Sequence, residues 1–156
     1  VMSNKLFEQK NKLKLLIITN LNDLVLFNDD NYIYIICLLR TKKMLFKVPK
    51  FDYYFTGVGD LFSGILMYSM LNNQLMDDFD NLDNIIKSIN YTLNLIHMFL
   101  QLTIDDRNDL TNLRLDGKNR VSINMKDYEL KILKRLPHLK KISEDTMVNY
   151  FDSYLS

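Results

Sequence analysis

The sequence predicts an α/β fold in which short strands are followed by two helices packed on one face of the sheet. Three observations carry this expectation. Leu82 to Ile104 sets Ile85, Ile86, Ile89, Leu93, Ile96, Phe99, Leu100 and Ile104 at helical spacing. Leu13–Thr19, Tyr32–Leu39 and Lys43–Val48 are short runs rich in apolar, β-branched or aromatic residues, which suits strands. Between the strands and the long helix stands Gly57-Val58-Gly59-Asp60-Leu61-Phe62-Ser63-Gly64, holding three of the chain's four glycines.

Taken in order, Leu13–Thr19 lacks clean alternation and reads as a buried, parallel strand. Asn20-Leu21-Asn22-Asp23 makes a loop, and Asn28-Asp29-Asp30-Asn31 a turn before the second strand. Arg40-Thr41-Lys42 is a tight connection to the third strand, which Pro49 ends because proline donates nothing to a ladder. Asp60 to Leu71 carries Leu61, Phe62, Ile65, Leu66, Met67 and Met70, predicting a helix buried on much of its circumference and closed by Asn72-Asn73. Asp77, Asp78, Asp80 and Asp83 crowd the start of the second helix, where the dipole favours acidic groups. Asp105–Val121 reads as a polar loop and Leu130–Leu133 as a short strand. The stretch after Ser143 reads as a weakly amphipathic helix or a disordered tail. A parallel sheet needs helices on both faces, and the first half supplies none. The expectation is therefore the C-terminal half of a larger doubly wound domain over 1–142, with a tail of unknown role at 143–156.

Composition limits function. The 156 residues suffice for one domain with its own core. A net charge of +1 gives no general pull toward nucleic acid or an anionic membrane. No apolar stretch reaches the ~20 residues that span a bilayer, and the polar start has no signal-peptide core. The lone Cys37 excludes an internal disulfide and fits a reducing, cytoplasmic setting. An initial Val fits a fragment of a longer chain. The abundance of Asn, Ile, Lys and Tyr looks like an AT-rich genome, so scattered asparagines are given little meaning.

Each candidate residue also has a plain structural reading. Cys37, inside an apolar run, reads as core rather than nucleophile. His97, among apolar helix neighbours, reads as packing rather than ligand. The Asp77–Asp83 cluster lacks the spacing and glycine of a calcium loop. Lys134, Arg135, His138, Lys140 and Lys141 read as a solvated basic face. The glycine cluster is different. Glycines at a helix start leave amide N–H groups unobstructed, which suits capture of a phosphate. An aspartate in the same turn is a candidate base beside a phosphoryl group.

Phe55-Thr56-Gly57-Val58-Gly59-Asp60-Leu61-Phe62 resembles the F-x-G-T-G-D-L-F segment of pyridoxal kinases in the ribokinase-like superfamily. Leu16-Ile17-Ile18-Thr19, Tyr32–Leu38, Met44–Val48, Leu82–Ile104 and Glu129-Leu130-Lys131-Ile132-Leu133 are similar to flanking segments of that family, so the likeness spans roughly 13–135. The resemblance implies transfer of the ATP γ-phosphoryl group to the 5′-hydroxyl of pyridoxal or a related B6 vitamer, in a homodimer when full length. It implies Asp60 as the base, contacting substrate with Gly59, and the amides of Gly57, Val58 and Gly59 as the anion hole. It implies Thr19, Asn20, Phe51, Asp52, Tyr53 and Val58 at the nucleotide, and Mg²⁺ held by residues of the N-terminal half. Val58 departs from the family's usual Thr, which removes a hydroxyl but not an amide. Another ribokinase-like small-molecule kinase and a non-catalytic truncated remnant are the alternatives.

Overall fold

A computed structural model describes residues 5, 7–8, 10, 12–21, 29–52, 55–73, 79–115 and 147–155, with backbone alone over 106–115. Four strands form one antiparallel sheet in the order β1-β2-β3-β4: β1 Leu16–Leu21, β2 Tyr32–Leu38, β3 Lys43–Pro49 and β4 Phe151–Tyr154. Two helices complete the described elements, α1 Val58–Asn72 and α2 Leu82–Leu115.

β2 and β3 form a regular hairpin from Tyr32↔Pro49 to Leu38↔Lys43. Alternation along each strand sends Ile35, Cys37, Met44 and Phe46 to one face, where they join Phe62, Leu66 and Met70 of α1 and Ile85, Ile89, Leu93, Ile96 and Leu100 of α2. Phe46, Met44 and Cys37 have no exposed surface, and burial pushes the Cys37 thiol up to about 12, so it stays protonated and inert. The opposite face is also covered at Tyr34, Leu38 and Leu45. There Lys47 meets Asp29 at 3.3 Å and lies 3.9 Å over the Tyr32 ring, tying the turn before β2 to β3.

Several expectations change. β1 is not a parallel, doubly flanked strand. It pairs antiparallel with β2 and is the outer strand of the described sheet, with Ile18, Thr19 and Asn20 exposed. Its unbroken apolar run still alternates in space, and Leu15 and Ile17 face the core. α1 is buried on one side only, through Phe62, Leu66, Ser69 and Met70, while Met67, Tyr68 and Leu71 are more than half exposed. The helical backbone of α2 runs through 105–115, read from sequence as loop. Polarity alone does not end a helix, and no Gly or Pro lies between Gly64 and Gly117. The N-cap of α2 is Asn81, whose Oδ1 accepts the Asn84 N–H at 3.1 Å. The strand expected at Leu130–Leu133 lies outside the described residues.

The largest correction concerns the C-terminal stretch, which is neither helix nor disordered over 151–154. β4 pairs with β3 through Met44↔Tyr154, Leu45↔Ser153 and Phe46↔Phe151, with a bulge between Leu45 and Phe46. Two asparagines of α2 hold the approach to it. The Asn94 side chain donates to the Val148 carbonyl at 2.8 Å and accepts the Val148 N–H at 2.9 Å, as a neighbouring strand would. Asn90 accepts the Tyr150 N–H at 2.8 Å and donates to Asn149 Oδ1 at 2.7 Å. These side chains have a specific structural purpose that composition had discounted. Replacing Asn94 by Ala leaves the Val148 amide group without its partners. The expected loss is about 1–3 kcal/mol, read as a lower urea midpoint with little change in slope.

Candidate active site

β3 ends at Pro49, and the chain reaches the glycine turn through Phe51 and Phe55. Gly57 takes φ +85° and ψ 1°, a left-handed conformation that costs a residue with a Cβ roughly 1–2 kcal/mol. The turn reverses the chain directly into α1. Gly57 is the N-cap, and no side chain caps the helix. The first intrahelical bond runs from the Leu61 N–H to the Gly57 carbonyl at 3.0 Å. The amides of Val58, Gly59 and Asp60 therefore precede that bond, at the end where the backbone dipole favours an anion.

A Cβ added at Gly57 or at Gly59 would meet nothing within 4 Å. Gly57, Gly59 and Asp60 are exposed, and Val58 is half-buried against the core. Asp60 lies in the first turn and is exposed, at the end of the helix where the dipole favours a negative charge. Ser63 does not compete for an incoming group. Its hydroxyl donates to the Gly59 carbonyl at 3.0 Å. Chemically, the turn can hold a tetrahedral anion on backbone N–H groups and offer a carboxylate to a nearby hydroxyl.

The other predicted positions distribute as follows. Thr19 and Asn20 are exposed on β1, where the pairing with β2 breaks register between Ile18 and Leu21. Asn20 has φ +60°, a conformation that asparagine tolerates better than most residues. Both β1 and β3 run antiparallel to β2, so their C-terminal ends share the end of the sheet from which the glycine turn departs. Asp52 is exposed, and Tyr53 lies outside the described residues. Phe51 turns inward. Its ring centroid lies 6.2 Å from Phe55 and 4.6 Å from the imidazole of His97 on α2.

His97 was read from sequence as packing, and it packs. Its Nδ1 is buried with no hydrogen-bond partner, and burial holds the imidazole below its usual value of 6.5. Sequence reasoning did not single out Tyr150, whose ring lies 6.4 Å from His97. Only its position in an aromatic stretch hinted at burial. Among the described residues, no three His, Cys, Asp or Glu side chains gather where a metal ion could sit. No helix among them is long and apolar enough to cross a membrane.

Comparison with known proteins places this arrangement. No protein-family model matches the chain. The crystal structure of pyridoxal kinase from Entamoeba histolytica superposes with a TM-score of 0.54 at 17% identity, covering 94% of this chain and 40% of that one. The described strands and helices thus match part of that structure's ribokinase-like fold. In sequence, the chain is 30% identical over 116 residues to the Saccharomyces cerevisiae protein named "Putative pyridoxal kinase BUD16". That match covers 71% of this chain and 34% of the yeast protein, so the chain spans about a third of the curated relative it matches. It is a partial pyridoxal kinase-like chain.

Two outcomes follow from the turn and from the imidazole. Gly57→Ala is expected to lower stability by about 1–2 kcal/mol, whereas Gly59→Ala, inside the helix and facing open space, is expected to raise it by up to about 1 kcal/mol. Chemical denaturation of the two variants separates them. Because the folded His97 binds its proton less readily than the unfolded one, its contribution is intact above about pH 6.5 and lost as pH falls through the lower folded value. Urea midpoints measured from pH 7.5 down to 5 are expected to fall less steeply in His97→Phe than in the parent chain.

Proposed function

We propose that this chain supplies the phosphoryl-transfer turn of an ATP-dependent kinase that phosphorylates the 5′-hydroxyl of pyridoxal or a related B6 vitamer. The observation that carries the reading is an exposed Asp60 in the first turn of a helix whose N-terminus no side chain caps, beside two glycines in an open setting. The named likeness of the yeast relative supports the choice of acceptor.

In this reading the amides of Gly57, Val58 and Gly59 hold the γ-phosphoryl oxygens as negative charge develops on them. Positioning and charge stabilisation are most of what such a transfer needs. Asp60 takes the proton from the acceptor hydroxyl as its oxygen bonds to phosphorus and the bond to the β-phosphate's bridging oxygen breaks, releasing ADP. Gly59 and Asp60 face the acceptor, and Val58, Thr19, Asn20, Phe51, Asp52 and Tyr53 line the nucleotide side. The uncapped amides and the absence of a Cβ at Gly57 and Gly59 suit a polyphosphate. Mg²⁺ would screen the phosphates, with its ligands in the N-terminal half that the family resemblance implies. Residues 1–142 correspond to the C-terminal part of the kinase domain, and the strand at Phe151–Tyr154 extends the same sheet. A cytoplasmic homodimer completes the proposal.

A second reading is favoured by one residue. Val58 replaces a hydroxyl-bearing family position, which fits a chain that binds nucleotide without turning it over. ATP-dependent formation of pyridoxal 5′-phosphate, followed by absorbance with the longest product of the gene, decides between them. Turnover is expected there, with little or none from the 156-residue chain alone. Asp60→Asn is expected to lower the rate about 10²–10⁴-fold without changing the unfolding midpoint appreciably. An unchanged rate removes the assigned base. Turnover of a sugar or hydroxymethylpyrimidine instead of pyridoxal would redirect the substrate class.

A further inference from the structure

Phe51 joins the approach to the glycine turn with a part of the fold remote in sequence. Its ring rests on His97, and the other neighbour of that imidazole is Tyr150, 6.4 Å away at an interplanar angle of 32°. Tyr150 is itself buried and held on both sides of its backbone. Its N–H is taken by Asn90, and its carbonyl accepts the Lys47 N–H at 2.9 Å. A continuous set of rings thus runs from the C-terminal segment through α2 to Phe51 and on to Phe55, two residues before Gly57. His97 makes no hydrogen bond through the buried Nδ1, so it acts in this stack by shape.

We propose that Tyr150 and His97 are positioning residues for the approach to the glycine turn, and that the C-terminal segment is the buttress which holds Phe51, and through it Gly57, in place. The functional consequence rests on the kinase reading above, since it is there that the turn's amides must be fixed before a phosphoryl group arrives. The physical claim does not. A ring removed from one end of this row of tilted and edge-on contacts leaves a void that its neighbours relax into, and the partner here is a short connection rather than a strand.

Backbone order parameters from ¹⁵N relaxation on the 156-residue chain test it. In the parent, Phe51, Phe55, Thr56 and Gly57 are expected near ~0.85, as for rigid backbone, and in Tyr150→Ala below ~0.6. The middle of α2 and of β2 should be unchanged. Tyr150→Phe, which keeps the ring, should restore the parent values, and Val148→Ala, in the same segment but outside the stack, should not disturb them. His97→Ala should loosen the same four positions and serves alone if Tyr150→Ala fails to fold. Unchanged order at those positions in either alanine variant overturns the proposal, as does an equal loss throughout the sheet. Because the measurement needs no nucleotide, local loosening in this chain together with no turnover by the longest product of the gene would refute the function and leave the buttress standing.

Discussion

Burial of the inward face of β3 is the interaction on which the rest of the molecule depends. Met44 and Phe46 have no solvent exposure and lie in the same core as the inward stripes of α1 and α2. β3 pairs on one side with β2 and on the other with β4, so it is the strand that both halves of the sheet share. It also launches the connection that becomes the glycine turn. A Phe removed from such a setting costs about 3–5 kcal/mol, which is a large fraction of the stability of a domain this size. The exposed turn is therefore set by a buried strand a few residues upstream.

That arrangement separates two demands that conflict locally. A helix start that is to receive an anion cannot satisfy its own amides with a capping side chain, and α1 does not. It gives up about 1 kcal/mol that a Ser, Thr or Asp would have supplied at the cap. Gly57 and Gly59 add further conformational cost. The later turns of the same helix offset this through Phe62, Leu66 and Met70, all buried. An open first turn with no capping side chain is carried by a helix body anchored elsewhere.

Much of this was legible in the sequence because it rests on local pattern. The β2–β3 hairpin is signalled by β-branched and aromatic residues, the core stripe of α2 by its spacing, and the turn by three clustered glycines followed by Asp60. What escaped the sequence depends on partners distant along the chain. β1 looked doubly flanked because its apolar run has no polar face, yet strand direction is settled by which strand lies beside it. The end of α2 lies later than expected because polarity and Gly117 together suggest a loop from Asp105, whereas the helix continues up to Leu115, two residues before that glycine. β4 was invisible because four residues of modest strand character join the sheet through β3, with the segment just before them held by the side-chain amides of Asn90 and Asn94. Asparagine is common in this chain, and nothing in composition distinguishes the two that grip a backbone from the others.

The pairing of Phe46 with Phe151 bridges a separation of about a hundred residues, far beyond the neighbouring hairpin contacts, and such distant closures are slow to form. A newly made chain can assemble β2, β3 and the helices while one flank of β3 still faces solvent with its peptide groups unsatisfied. That flank is a template for any stray extended segment until β4 arrives. The order of assembly thus makes the last strand a guard against mispairing in the young protein, and a chain stalled before it would be the form most prone to clump.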